Sequence, residues 1–167
     1  MILKYIEFVS TVISLLAFFL GVKQRIVTWP ISITLTIVNL YIYHQGALYH
    51  RWISSALSIF FSMYGWYKWR YGGHQNTELK AVSRLSFRDL FAIFALGIIF
   101  INLTNKLLIY LRSDFSYIGS FDVFFVLVGL WMTANKKLEA YITWGLLNIL
   151  SIYINYCKGY YLSLIHI

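Results

Sequence analysis

The strongest constraint on this chain is a series of apolar runs, each close to the length a helix needs to cross a bilayer. A spanning helix takes about 20 largely apolar residues. Six runs approach that length: Tyr5–Val22, Trp29–Gln45, Trp52–Trp69, Asp89–Ile109, Ile118–Ala134 and Tyr141–Cys157. A further run, Tyr160–Ile167, has eight residues and covers only about 12 Å as a helix, under half of a ~30 Å hydrocarbon core. Charged residues make up 12% of the chain, half of the roughly 25% a soluble domain carries. The mean hydropathy is +0.68. The chain therefore reads as an all-α, polytopic membrane protein. Lys4 ahead of the first run imitates a signal peptide, but Glu7 and the lack of a small-x-small cleavage pattern favour a retained first helix.

The basic residues lie between the runs. Nine fall in the gaps after the first, third and fifth: Lys23, Arg25, Lys68, Arg70, Lys80, Arg84, Arg88, Lys136 and Lys137. The opposite side carries Lys4, Arg51, Arg112 and Lys158, with Lys106 near a helix end. The positive-inside rule then places the N-terminus outside and the gap 71–88 in the cytoplasm. For a net charge of +8, this distribution points to orientation and anionic lipid, not to nucleic acid. Aromatic residues reach 20%, and Tyr and Trp suit the membrane interface, where one end of the ring is apolar and the other wet.

Two segments look like copies of one another. Lys23, Thr28-Trp29 and Tyr43-x-x-Gly46 are matched by Lys137, Thr143-Trp144 and Tyr156-x-x-Gly159 at an offset of 113–115 residues. In the second run Ser32, Thr36, Asn39 and Tyr43 are spaced 4, 3, 4, as are Trp144, Asn148, Ser151 and Asn155 in the sixth. Each series follows one helical face. An amide facing hydrocarbon is costly, so both faces are expected to turn toward protein or a wet cavity. The runs are four apart and cross in the same direction, which makes the repeat parallel. The expected organisation is residues 1–70 as a first three-helix repeat, 71–88 as a cytoplasmic linker, 89–112 as a linker transmembrane helix, and 113–167 as a second repeat that stops before its third helix.

Other polar positions leave alternatives open. Ser55, Ser58, Ser62, Gly65 or Trp66, and Trp69 share a face of the third run; small residues there permit close helix packing or line a polar path. Asp122 is a functional carboxylate within an apolar run, or a helix-start residue favoured by the dipole. Gly129 and Thr133 lie on its face. Cys157 is a lone, packing cysteine. His44, His50, His74 and His166 lack metal-ligand spacing. Pro30 falls in a first helical turn, where it is tolerated. No nucleophile–base pair, phosphate loop or dinucleotide fingerprint is present, so neither an enzyme nor a cofactor is indicated.

Several blocks resemble a known family. Trp29-Pro30 through Asn39, Gly46-Ala47-Leu48-Tyr49 and Tyr64-Gly65-Trp66-Tyr67-Lys68-Trp69 look like the first half of the PnuC nicotinamide riboside transporters. Ser120-Phe121-Asp122, Lys136-Lys137-Leu138-Glu139, Trp144-x-x-x-Asn148 and Tyr156-x-Lys158-Gly159-Tyr160-Tyr161-Leu162 look like the second. The resemblance implies two three-helix repeats about a linker helix, in a SWEET-like arrangement, often trimeric, in a bacterial inner membrane. It implies facilitated uptake of nicotinamide riboside, thiamine or another nucleoside-like vitamin precursor, trapped by cytoplasmic phosphorylation and feeding NAD biosynthesis. The chain departs from the pattern at Arg51, usually an Asp, at Ser54-Ser55, usually Leu-Gln, and at Leu130, usually Gln. The family's final helix is also missing, so a truncated, non-transporting paralogue is the alternative reading.

The chemistry suits an uncharged or weakly cationic aromatic ligand: indole faces stack, and amides read an amide or a ribose hydroxyl. Trp144 and Asn148, one turn apart, are the first candidate contacts, with Asn39 and Thr36 as the facing pair. Ser55, Trp66, Trp69 and Asp122 follow. Trp66 and Trp69 beside Lys68 and Arg70 also fit an interfacial belt, as does Trp29, and Asn39 also fits a bond to a neighbouring helix.

Overall fold

The computed structural model describes residues 12–14, 16, 17, 19–23, 25–45, 48–71, 82–113 and 116–157. They form six helices: α1 (Val12–Val22), α2 (Thr28–Gln45), α3 (Tyr49–Tyr71), α4 (Phe87–Tyr110), α5 (Ser116–Ala134) and α6 (Glu139–Cys157). Each of the six runs expected to be helical overlaps one of these helices. The first run's start and the run Tyr160–Ile167 lie outside the described residues. Among the described residues two helices, α4 and α5, combine the length and apolarity of a membrane span, where six were expected over the whole chain. The reason is composition: Ser32, Thr34, Thr36 and Asn39 interrupt α2, four serines interrupt α3, and Asn148, Ser151 and Asn155 interrupt α6.

Local chemistry sets the helix ends. Ser86 caps α4 through a reciprocal capping box: its hydroxyl accepts from the Asp89 amide at 3.2 Å, and the Asp89 carboxylate accepts from the Ser86 amide at 3.1 Å. Both α4 and α5 finish with a non-glycine residue in the left-handed region, Arg112 at φ 55° and Lys136 at φ 53°. Each is held by a six-residue closing bond, Ser113 N to Leu108 O and Lys137 N to Met132 O, both 2.9 Å. α3 begins three residues before the apolar run and so brings His50 and Arg51 into the helix.

The largest interfaces are α3–α5 and α2–α3, followed by α4–α5 and α5–α6. α5 is thus surrounded by α3, α4 and α6, and α2 lies on the far side of α3. The core follows from this order: Ile101, Phe124, Val128, Met132 and Ala140 join α4, α5 and α6. α4 turns Leu90, Phe91, Phe94 and Ile98 outward, the surface expected of a helix bordered by lipid.

At the end of the bundle where α2, α4 and α6 begin, the stretch before α4 is docked onto the α5–α6 turn. Ser83 pairs with Lys137 in a parallel bridge, through Ser83 N to Lys136 O at 3.1 Å and Leu138 N to Ser83 O at 3.0 Å. The Glu139 carboxylate accepts from the Leu85 amide at 3.1 Å, and Lys137 Nζ lies 3.6 Å from the Asp89 carboxylate. Part of the expected linker, residues 82–86, is therefore fixed to α5 and α6.

At the same end the indole of Trp29 lies over Gly65, so close that an added Cβ would sit 2.2 Å from its ring. Trp69 meets Trp29 edge-on at 5.3 Å. Gly65→Ala is expected to expel this ring and destabilise the protein by about 1–3 kcal/mol, the usual cost of overpacking a fitted contact. Detergent-phase unfolding measures it. In a Trp29→Ala background the same substitution is expected to cost much less.

Candidate functional site

Polar side chains inside the bundle collect on α3 and α5. His50, Ser54, Ser55, Ser58 and Ser62 are buried on α3, and Ser120 and Asp122 on α5. His50, Ser54, Ser58 and Ser62 repeat every four residues, so they form one stripe down the helix. The serines are small enough to let α3 approach α5 closely. One close approach is at His50, 1% exposed; a Cβ on Gly119 would sit 2.7 Å from the His50 Cβ. Ser120 satisfies its hydroxyl locally by donating to Ser116 O at 2.7 Å.

Asp122 is 6% exposed. α5 starts at Ser116, which puts Asp122 in the second turn. The helix-start reading is therefore corrected: Asp122 lies beyond the first-turn amides whose dipole would favour it. Among the described residues Asp122 makes no hydrogen bond and no ion pair. The charge acting on it is the Arg51 guanidinium of α3, which also lies 5.8 Å from the centre of the Tyr43 ring on α2.

Trp144 bridges α6 to α5. Its indole N–H donates to Thr133 Oγ at 3.0 Å, and its ring lies against Gly129, 3.2 Å from where a Cβ would be. Thr133 in turn donates to Gly129 O at 2.7 Å. Asn148, one turn further, is exposed. On α2, Thr36 and Asn39 are half-buried, and Thr36 donates to Ser32 O at 2.7 Å. Ser55 is buried on α3, and Trp66 is exposed.

Trp69 is a clamp between helices: its N–H donates to Ala134 O at 3.2 Å and Lys136 Nζ lies 5.3 Å from its ring. Beside it, Lys68 donates to the Asn135 side-chain oxygen.

The structure brings Trp144 and Asn148 to one face of α6, and Asp122 and Ser55 into the polar interior. It does not bring Asn39 and Thr36 to Trp144 and Asn148. α2 packs on α3 and α6 packs on α5, so the α3–α5 pair stands between the two polar faces. An open depression of about 270 Å³ lined by Phe60, Phe61, Tyr64 and Trp131 carries none of the candidate polar residues. Sequence reasoning missed His50, because the run was started at Trp52; the four-residue spacing through Ser62 was the signal available. Among the described residues no group of three His, Cys, Asp or Glu could hold a metal.

Residues 4–167 match a family model described as Nicotinamide mononucleotide transporter. No curated protein and no solved structure gives a match.

The Trp144–Thr133 contact predicts a coupling of about 0.5–1.5 kcal/mol between Trp144→Phe and Thr133→Val in a double-mutant cycle of unfolding. Asn148→Ala, an exposed position, is expected to change stability by less than about 0.5 kcal/mol. Additive Trp144 and Thr133 effects would show the bond to be energetically idle.

Proposed function

The chain belongs to the nicotinamide mononucleotide transporter family, and we propose that it moves nicotinamide riboside or a related vitamin precursor such as thiamine across the bacterial inner membrane by facilitated diffusion. It is a membrane protein of a transporter family, not an enzyme. The observation that carries the reading is the extent of the match, residues 4–167. The buried polar stripe of α3 and α5 supports it, because such groups are held inside a lipid-embedded bundle at a cost and mark pathways there.

In this reading the N-terminus is outside, the Lys- and Arg-rich end of the bundle faces the cytoplasm, and α4 links two parallel repeats. Trp144 offers a stacking face to the ring, and Asn148 offers amide donors and acceptors to the carboxamide or ribose. Both lie on one face of α6, and Asn148 is open to a ligand. Thr36 and Asn39 reach the same substrate in a second conformation, in which the repeats rock about the α3–α5 pair, as alternating access requires. Trimer formation would cover outward faces of α4 and α6. Phosphorylation inside the cell makes the net flow inward.

Proteoliposomes test this. Labelled nicotinamide riboside is expected to equilibrate across the membrane, unaffected by a protonophore, and to accumulate when a riboside kinase and ATP are enclosed. Asn148→Ala and Trp144→Ala are expected to slow initial uptake by about tenfold, the effect of losing one or two good contacts. Mutant rates equal to wild type would remove these residues from the site. No flux through the folded protein would favour a non-transporting membrane scaffold.

A further inference from the structure

The depression lined by Phe60, Phe61, Tyr64 and Trp131 ends at a cation. Phe60, Tyr64 and Lys68 are spaced four residues apart on α3, and Trp131 and Asn135 four apart at the end of α5, so each set follows one helical face. The two faces run to the same end of the bundle, where Lys68 donates to the Tyr64 hydroxyl at 3.1 Å and to the Asn135 side-chain oxygen. Aromatic rings therefore form the floor of a groove between α3 and α5, and an ammonium stands at its mouth. Phe60 is 70% exposed, so the groove opens on the outside of the bundle.

Length and charge both suit a lipid of one leaflet. From Phe60 to Lys68 is about 12 Å at 1.5 Å per residue, close to the ~15 Å of hydrocarbon in half of a bilayer core. The rings offer apolar contact, with no amide or carboxylate to read a ribose or a polar ring. Lys68 has three N–H donors and gives two of them to Tyr64 and Asn135. Among the described residues no carboxylate pairs with it. The acidic groups of this end are engaged beside α4 and α6: Asp89 by Ser86 and Lys137, and Glu139 by the Leu85 amide. Arg70, two residues beyond Lys68, and Lys136, next to Asn135, add positive charge near the mouth. A basic pocket between membrane helices, open to lipid, is the arrangement that holds an anionic headgroup.

We propose that this groove binds one anionic phospholipid, with an acyl chain laid along Phe60, Tyr64 and Trp131 and the phosphate accepting a charge-assisted hydrogen bond from Lys68. A zwitterionic lipid brings a phosphate too, but its own cation meets the positive mouth and is disfavoured there. The bound lipid covers the seam of α3 and α5 from outside and joins the contact of Lys68 with Asn135 that closes the seam at this end. The inference rests on the chain being a membrane protein and is independent of what it transports.

Trp131 reports the occupant directly. The full chain is reconstituted in phosphatidylcholine vesicles containing a minor share of lipid brominated in its acyl chains, either phosphatidylglycerol or phosphatidylcholine. The Trp131 emission is the difference between wild type and Trp131→Phe. Brominated phosphatidylglycerol is expected to half-quench it at about a tenth of the mole fraction that brominated phosphatidylcholine needs, the scale of one charge-assisted contact. Lys68→Gln is expected to remove this preference and Lys68→Arg to keep it. Arg88→Gln, which takes the same charge from the start of α4, is expected to leave it unchanged. Phe60→Ser, at an exposed position, is expected to remove it by opening the groove wall, which decides the matter if Lys68→Gln does not fold. Equal quenching by the two lipids in wild type, or a preference that survives Phe60→Ser, would overturn the inference. Equal losses in Lys68→Gln and Arg88→Gln would replace the site with diffuse attraction to a basic protein and overturn it. Quenching by neither lipid would mean that a second copy or another part of the chain covers the groove, and would overturn it too.

Discussion

The architecture depends on how closely other helices can approach α5. Between helices in lipid there is little hydrophobic drive, so association rests on close packing at small residues and on a few polar contacts. α5 supplies Gly119 to His50 of α3 and Gly129 to Trp144 of α6, and it sends Phe124 against Gly97 of α4. Each contact sets a spacing that a larger residue would break. Between them lies the apolar cluster of Ile101, Phe124, Val128, Met132 and Ala140. The polar residues of α3 and α5 are held inside the bundle because these contacts leave them no other place.

The two ends of the bundle are built differently. At one, the turn Asn135-Lys136-Lys137 is a junction. It bonds to Lys68 of α3, to Ser83 and Arg84 before α4, and to Asp89 within α4. Lys136 adopts a left-handed backbone there and lies over the Trp69 ring. Any movement of α6 against α4 has to break this tie or carry it along. At the other end, Tyr43, Arg51 and Asp122 connect α2, α3 and α5 by a cation–π contact and by charge. These forces tolerate changes of a few ångströms better than backbone hydrogen bonds do.

The number and limits of the helices could be read in the sequence because apolar runs, caps and turns are local signals. Ser86 followed by Asp89 is one such signal, and the 4, 3, 4 spacing of polar residues in α2 and α6 another. Periodicity gives the face of a helix but not its partner. That is why Asn39 and Asn148 were expected to face one another, although α3 and α5 separate their helices. The fit of Trp29 over Gly65 joins residues 36 positions apart by shape alone, and no pattern in the chain announces it. The Ser83–Lys137 bridge was hidden in what read as a linker. Asp122 was visible as an unusual carboxylate; that it lies in the second turn, away from the helix dipole, required the structure.

The central claim is the order of helices around α5, with α2 and α6 kept apart by α3. Cross-linking within one chain tests it most directly, using a short bifunctional thiol reagent in a Cys157→Ser background. The pair Lys68→Cys and Asn135→Cys, on α3 and the end of α5, is expected to link rapidly in lipid. The pair Asn39→Cys and Asn148→Cys, on α2 and α6, is expected to remain unlinked when substrate is absent. Rapid linking of the second pair within a monomer, with none in the first, would contradict the arrangement.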